Sequence, residues 1–207
     1  MKLMNILDKY RIALLLTFCL PAILLSSGCG TTQRSSFYQF NETINSSLTG
    51  VEQGHIIGVG PIQLPEYINR PQIVTRNSAH HLDIAEFHRW VEPLNESIIR
   101  VLVMNLSNNL NSNRVYWLPR QDRNFPLELR VVIDIGRFDG ELGKDVELQA
   151  RWTLFDKQNQ PKLTKVSLIK EKANGASYED FVKAMNGALI TLGEEISIAA
   201  QPFLKPK

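Results

Sequence analysis

The feature that most restricts the fold of this chain is an alternation of apolar and mostly polar residues in its C-terminal half. Apolar side chains occupy every second position over 127–135 and again over 146–154. A two-residue period places successive side chains on opposite faces of a strand, so both segments predict strands with one buried face. Turn residues at 139–143 and 156–161 separate them from each other and from a third strand at 162–172. The pattern therefore predicts a meander of three antiparallel strands with one face in water.

Two other segments have the apolar spacing of amphipathic helices. The first follows Pro93, which suits the first turn of a helix, and ends at the asparagine-rich segment 108–113. The second follows Ser177, whose hydroxyl can cap a helix, with Asp180 near the place of a capping-box acid. Shorter extended segments are predicted at 37–40, 55–65, 72–76, 80–84 and 114–119, so that a strand–helix–strand unit surrounds the first helix. Together these elements predict an α/β domain, with a mixed β-sheet of about six strands packed with two main helices.

The N-terminus has the features of a bacterial lipoprotein signal. Positive charges precede an uncharged apolar segment at 12–25, which is shorter than the roughly 20 apolar residues of a spanning helix. Small residues then lead to Cys29, although Ser26 stands where such signals usually carry an aliphatic residue. An ordinary secretory signal with an incidental cysteine is the alternative. We predict a signal peptide over 1–28, lipid attachment at Cys29, a lipidated N-terminus and linker over 29–36, and a domain over 37–203.

Removal of residues 1–28 would leave a domain without net charge and without a thiol. Three of the 23 Lys and Arg and one of the 21 Asp and Glu lie in this segment, leaving 20 of each sign. A neutral domain has no broad positive field, so we expect no nucleic-acid partner. Cys19 would leave with the signal and Cys29 would be acylated, so no cysteine would remain for a disulfide, a metal or catalysis. We expect attachment to a membrane through lipid alone.

No pattern of residues points to catalysis or metal binding. The four histidines at 55, 80, 81 and 88 lack the ligand spacing of a zinc site, and adjacent ones on a strand would face opposite ways. Surface or loop positions are therefore expected for them. The glycines of 58–61 resemble a phosphate loop, but the lysine and the following helix are missing. Because no nucleophile elbow or recognised carboxylate pair is present either, we predict a non-enzymatic protein with no cofactor and no metal.

The segment 58–76 is the part of the chain least explained by packing. One interpretation is a rigid strand–turn–strand, and the other is a shaped contact surface. For the second interpretation, the candidate partner contacts are Pro61, Leu64, Pro65, Tyr67 and Arg70. The three tryptophans at 90, 117 and 152 are predicted to be core residues, with the alternative that an exposed one marks an interface.

Several motifs follow one another along the chain in a recognisable order. They are Phe37-Tyr38, the uninterrupted run from Gly58 to Val74, Trp90-Val91-Glu92-Pro93-Leu94, Arg137-Phe138-Asp139-Gly140, Ala150-x-Trp152 within its strand, and the C-terminal helix. Together they closely resemble the PqiC family, the auxiliary lipoproteins of ABC-type and MCE lipid transporters. The resemblance covers nearly the whole mature chain, is most specific over 58–74, and identifies 37–203 as an ABC-type transport auxiliary lipoprotein domain.

The resemblance implies an outer-membrane lipoprotein that faces the periplasm and docks a periplasm-spanning, PqiB-like MCE protein. A PqiA-like inner-membrane protein would be an indirect partner, and a ring-like homo-oligomer around the MCE tunnel is implied as well. Gly30, which follows the lipidated cysteine, is not Asp, the usual signal for retention in the inner membrane of enteric bacteria, and this fits the outer membrane. Such systems move lipids or other hydrophobic molecules and support membrane integrity. Two alternatives stay open: a periplasmic lipoprotein that binds a lipid or hydrophobic ligand directly, and a hydrolase, for which the sequence offers no nucleophile or base.

Overall fold

Two mixed β-sheets and two long helices make up the described part of the chain. The computed structural model describes residues 33–42, 48, 50, 52–118 and 126–204, and the elements below belong to the unit Ser35–Lys207. In chain order they are β1 (Ser36–Tyr38), β2 (Ile57–Gln63), β3 (Gln72–Ser78), β4 (His81–Trp90), α1 (Leu94–Asn109), β5 (Val115–Trp117), β6 (Leu129–Gly140), β7 (Asp145–Asp156), β8 (Pro161–Lys172) and α2 (Tyr178–Ala200). A short 3₁₀ turn, Gln201–Phe203, follows α2.

The larger sheet has the strand order β5–β2–β6–β7–β8. The meander β6–β7–β8 is antiparallel throughout, whereas β2 runs parallel to both β5 and β6. Along β7 the alternating apolar side chains from Val146 to Leu154 are all buried, and α2 packs on this strand and on β8. Trp152 lies at the centre of this core, where its indole N–H donates to Ser167 Oγ at 2.9 Å. The predicted half-buried meander is confirmed.

The helices begin where their sequences predict. Ser177 Oγ accepts a hydrogen bond from the Asp180 backbone N–H at 3.1 Å, which satisfies one of the free donors at the start of α2. Glu179 and Lys183, one turn apart, form an ion pair at 2.7 Å. Pro93 stands at the N-cap of α1, directly before its first helical residue. Within the described ranges, no helix has both the length and the apolarity needed to cross a membrane.

The smaller sheet has the order β1–β4–β3. β3 and β4 form an antiparallel hairpin, but β4 continues to Trp90, beyond the predicted segment 80–84, and also pairs in parallel with β1. The α/β class and the two helices are confirmed, whereas eight described strands in two sheets replace the single sheet of about six. The chain leaves the larger sheet after Gln63, where Pro65 and then Pro71 cannot donate ladder hydrogen bonds, and β3 therefore begins a separate sheet.

Two details near α1 differ from the sequence prediction. The strand before this helix, β4, lies in the smaller sheet, whereas the strand after it, β5, lies in the larger one, so the predicted strand–helix–strand unit connects two sheets. Trp90 and Trp152 are buried as predicted, but Trp117 is 41% exposed because it ends a three-residue edge strand. Trp117 is therefore not a core residue, and the alternative, that an exposed tryptophan marks an interface, stays a prediction for it.

Gly60 on β2 has a backbone conformation that other residues rarely adopt. Its φ is +127°, and an added Cβ would lie 2.1 Å from the carbonyl oxygen of Leu118. Replacing Gly60 with alanine should therefore lower the free energy of unfolding by roughly 2–3 kcal/mol, measured by urea denaturation of residues 35–207. The matched control is Gly136→Ala, where the nearest atom is Gln149 O at 4.0 Å. Equal stability of the Gly60→Ala and Gly136→Ala proteins would contradict this prediction.

Candidate partner-binding site

The predicted contact residues lie where the chain passes from the larger sheet to the smaller one. Pro61 is exposed on β2, while the other four belong to residues 64–71, which we call the connecting segment. The carbonyl oxygen of Pro65 accepts the backbone N–H groups of Ile68 and Asn69, both at 3.2 Å, and closes a turn. Ile68 is buried in the core, and Leu64 and Tyr67 are half-buried against it. The connecting segment is thus attached to the core from within and partly exposed on its outer side.

A buried carboxylate, Asp139 on β6, fixes the connecting segment. Its side chain is 0% exposed. Oδ2 accepts the Tyr67 hydroxyl at 2.6 Å and Nη2 of Arg76 at 2.8 Å. Oδ1 accepts Nε of Arg76 and Nε of Arg137, both at 2.8 Å. One carboxylate therefore joins the connecting segment, the end of β3 and β6.

The charges in this cluster stabilise one another. Burial alone would raise the pKa of Asp139, but hydrogen bonds from Arg76, Tyr67 and Arg137 outweigh burial and lower it. The hydrogen bond to Asp139 raises the pKa of Arg76, although burial opposes this. Burial, and then the hydrogen bond and charge of Asp139, raise the pKa of Tyr67 to about 12. At neutral pH the carboxylate is therefore ionised, the guanidinium groups are charged and the phenol is a neutral donor.

The cluster continues to the surface without leaving an unpaired cation. Arg137 also contacts the Glu147 carboxylate, which pairs with Lys170 at 2.8 Å. A groove of about 250 Å³ opens here between β3 and the turn after β6, and Lys144 on its wall pairs with Glu141 at 2.8 Å. Arg76, Arg137 and Lys144 are all bound to carboxylates. These ion pairs help to hold the two sheets together, and they make the groove a poor site for an anion.

Sequence reasoning missed the role of Asp139. The dipeptide Asp139-Gly140 is a strong turn signal, and the prediction placed both residues in a turn. In the structure β6 continues through Gly140, and the turn follows at 141–144. A register shift between Ile135 and Arg137 interrupts the regular alternation before Asp139. The motif Arg137-Phe138-Asp139-Gly140 could have indicated this role, because it places an acid two residues after an arginine, at the end of an apolar strand.

A cleft of about 330 Å³ lies beside the connecting segment. Its lining residues are Asn69, Arg70, Pro71, Trp90, Val91, Glu92, Pro93 and Leu94. Main-chain hydrogen bonds hold its walls, because the Trp90 N–H donates to Pro71 O at 2.7 Å and the Val91 N–H donates to Tyr38 O at 2.9 Å. Of the predicted contacts, Arg70 is the one that lines this cleft. The residues from Trp90 to Leu94 were recognised in the sequence as a motif but were not predicted to contact a partner.

The histidines are spread over separate places. His80 and His81 are exposed at the turn into β4. His55 Nδ1 pairs with Glu128 at 2.7 Å, and the His88 ring stacks on Tyr178 with centroids 3.8 Å apart. Across the described part of the chain, no three His, Cys, Asp or Glu side chains lie close enough to share a metal ion.

The hydroxyl of Tyr67 should contribute measurably to stability. Tyr67→Phe removes a hydrogen bond to an ionised group, so we expect the free energy of unfolding at pH 7 to fall by about 1.5–3 kcal/mol. The folded-state pKa of this phenol is raised, so its contribution is complete below its unfolded pKa of about 10 and is lost as pH rises through about 12. Burial also raises the pKa of Tyr178, so absorbance titration of tyrosinate should show two late-titrating phenols in the wild type and one in Tyr67→Phe.

Tyr116→Phe is the control for this substitution. The Tyr116 hydroxyl lies at the surface, 3.5 Å from Glu52, so its loss should change stability by less than about 0.5 kcal/mol. If Tyr67→Phe had as many late-titrating phenols as the wild type, the raised pKa assigned to Tyr67 would be contradicted.

Comparisons with known proteins agree with this architecture. A model of the family described as ABC-type transport auxiliary lipoprotein component matches residues 38–197. Two relatives, both named intermembrane transport lipoprotein PqiC, come from Escherichia coli (strain K12) and Shigella flexneri. Each is 25% identical over 169 residues, which covers 80% of this chain and 87% of the relative.

Two crystal structures share the fold. An uncharacterized protein superimposes with a TM-score of 0.67 at 18% identity, over 81% of this chain and 99% of its own. A protein from Xanthomonas campestris superimposes with a TM-score of 0.63 at 14% identity, over 81% of this chain and 98% of its own. The matched residues 38–197 include the connecting segment, the Asp139 cluster and the cleft.

Proposed function

This chain belongs to the family of ABC-type transport auxiliary lipoprotein components, and from that premise we propose that it is a non-enzymatic docking subunit of a lipid transport system. It binds a PqiB-like MCE protein that spans the periplasm, and through it is associated with a PqiA-like inner-membrane protein. In doing so it supports the integrity of the envelope. A ring-like homo-oligomer around the MCE tunnel is part of the proposal.

The observation that carries this proposal is the Asp139 cluster, which holds the connecting segment in one conformation. A surface that is already ordered loses little conformational entropy when a partner binds. The three donors to Asp139 come from different elements, so the exposed side of the connecting segment is positioned by the core and not by its own flexibility. Such an arrangement supports recognition of a protein surface.

We propose that lipid on Cys29 anchors the chain in the outer membrane, facing the periplasm. Cys29 and the signal peptide lie outside the described residues. β1 begins at Ser36, so the seven residues from Cys29 can span at most about 25 Å. The linker over 29–36 would therefore keep the domain close to the membrane surface.

Crosslinking in cells tests the docking proposal. The full chain, with an affinity tag at its C-terminus, is crosslinked in its native host and purified from solubilised membranes. We expect the MCE protein in the eluate, and we expect it to be absent when another outer-membrane lipoprotein carries the tag. Purification without any MCE protein would overturn the proposal.

Direct binding of a lipid is the second candidate function. Its supporting observation is an open cleft of about 480 Å³ where Phe37 and Tyr38 of β1 face Val182 and Lys183 of α2. This cleft has apolar and charged walls, as a lipid with a polar headgroup requires. Mass spectrometry of the purified soluble domain distinguishes the two functions. Only a lipid-binding domain should still carry a lipid, in a fixed ratio to the protein, after a delipidation step.

A further inference from the structure

We propose that the cleft beside the connecting segment binds a protein segment carrying a carboxylate next to an aliphatic side chain, and that Arg70 is the cation that binds this carboxylate. The inference rests on the docking function proposed above and adds the chemistry by which the MCE partner is recognised. It is carried by two properties of the cleft, namely its apolar walls and its unmatched donor.

Most residues in the walls of the cleft are apolar, and three of these are exposed. Pro71 and Pro93 are exposed on its two sides, and Val91 is 58% exposed at its rim. Trp90 is buried and forms part of the lining. Because main-chain hydrogen bonds fix Trp90 and Val91, the cleft can accept an aliphatic side chain without rearrangement.

The donor is the guanidinium group of Arg70. Among the described residues, it has no carboxylate within ion-pair distance, and its Nε is buried without a hydrogen-bond acceptor. An arginine without an ion-pair partner at a mostly apolar cleft is a strong site for a carboxylate, since the planar guanidinium can form two parallel hydrogen bonds with it. Nε itself is buried, but Arg70 as a whole is half-buried and lines the cleft, so a bound carboxylate would reach the rest of its guanidinium group from there.

The cleft's own carboxylate does not fill this role. Glu92 is the one acidic residue in the lining, and both of its oxygens are bound by Arg100, with Nη1 to Oε2 at 2.6 Å. The hydrogen bond from Arg100 lowers the pKa of Glu92, against the effect of burial, so this carboxylate stays ionised and paired. Glu42 binds Nε of the same Arg100 and is not part of the lining. Arg70 thus remains as the cation to which a ligand can bind.

A carboxylate fits better than a phosphate. Anion sites for phosphate commonly combine several cations or backbone N–H groups, whereas here a single arginine stands beside apolar walls. The chemistry matches an Asp or Glu side chain, or a chain terminus, that lies next to Leu, Ile or Val in the partner.

Charge substitution at Arg70 is the first test, with the full-length chain in cells that contain the MCE protein. Arg70→Glu should reduce the crosslinked MCE protein by about tenfold or more, and Arg70→Lys should reduce it less, because lysine keeps the charge but not the paired hydrogen bonds. Arg151→Glu is the matched control, an exposed arginine on β7 outside the cleft, and it should leave recovery unchanged.

The outcomes separate the two proposals. If the wild-type chain recovers no MCE protein, the docking function fails and this inference fails with it. If the wild type and Arg70→Glu recover equal amounts, docking stands and the assignment of the cleft is overturned.

A photoreactive residue at Val91 is the second test, and it does not alter Arg70. Benzoylphenylalanine at this exposed position should crosslink to the MCE protein, whereas the same residue at Leu168, which is 74% exposed on β8, should not. A product with a second copy of this chain, a product with phospholipid, or no product in cells where the MCE protein co-purifies would each overturn the inference.

Discussion

Replacing Asp139 with asparagine should lower the free energy of unfolding by about 3 kcal/mol or more. The amide keeps the shape of the side chain but removes the negative charge that two arginines and a phenol share. Arg76 and Arg137 would then lie beside a buried neutral group, and the desolvation of their charges would no longer be offset. Urea denaturation of residues 35–207 at pH 7 measures the loss.

The same substitution should flatten the acid dependence of stability. Because the folded-state pKa of Asp139 is lowered, its contribution is complete above its unfolded pKa of about 3.9 and disappears as pH falls through the folded-state value. Between pH 4 and strongly acidic solution, the wild type should lose more stability than Asp139→Asn.

Asp134→Asn provides the control on the same strand. Asp134 is exposed on β6, so its replacement should change stability by less than about 0.5 kcal/mol. If Asp139→Asn were as stable as Asp134→Asn, the cluster would not hold the connecting segment, and the observation behind the docking proposal would be lost.

Replacing Cys29 with alanine should remove the protein from the outer-membrane fraction almost completely. Stable anchoring in a membrane needs two or more acyl chains. Because the proposed lipid is attached at Cys29 alone, replacing this cysteine would remove the whole anchor. Density-gradient fractionation and immunoblotting measure this distribution. The fold should be unaffected, because the described domain begins beyond this residue.

Cys19→Ala is the matched control for the anchor. This cysteine lies within the apolar part of the predicted signal, and we expect its replacement to leave fractionation unchanged. A Cys29→Ala protein that still fractionated with the outer membrane would contradict lipid attachment at this residue.

The fold was predictable where neighbouring residues determine the structure. Alternation over 146–154 predicted a strand with one buried face, and Ser177 with Asp180 predicted the start of the last helix. The division into two sheets was not predictable in this way. It depends on β4 pairing in parallel with β1, a contact between residues such as Tyr38 and Trp90 that are far apart in the chain.

The site was predictable only in part, and for a similar reason. The segment 58–76 was singled out because packing explained it least, and Arg70 in that segment does line a cleft. Asp139 was placed in a turn because its local sequence favours a turn. Two of its donors, Tyr67 and Arg76, are far away in the sequence, and the third, Arg137, lies next to a register shift in β6 that the sequence does not predict. Nor could spacing show that Glu92 is already occupied by Arg100, which is what leaves Arg70 as the cation of the cleft.

The position of β2 has a consequence for the order in which the chain folds. This strand lies inside the larger sheet, and both of its neighbours, β5 and β6, come later in the chain. During synthesis, which proceeds from the N-terminus, residues 57–63 therefore have no native strand to pair with until residues 115–117 and then 129–140 have been made. This strand order therefore delays formation of the larger sheet until most of the chain has been synthesised.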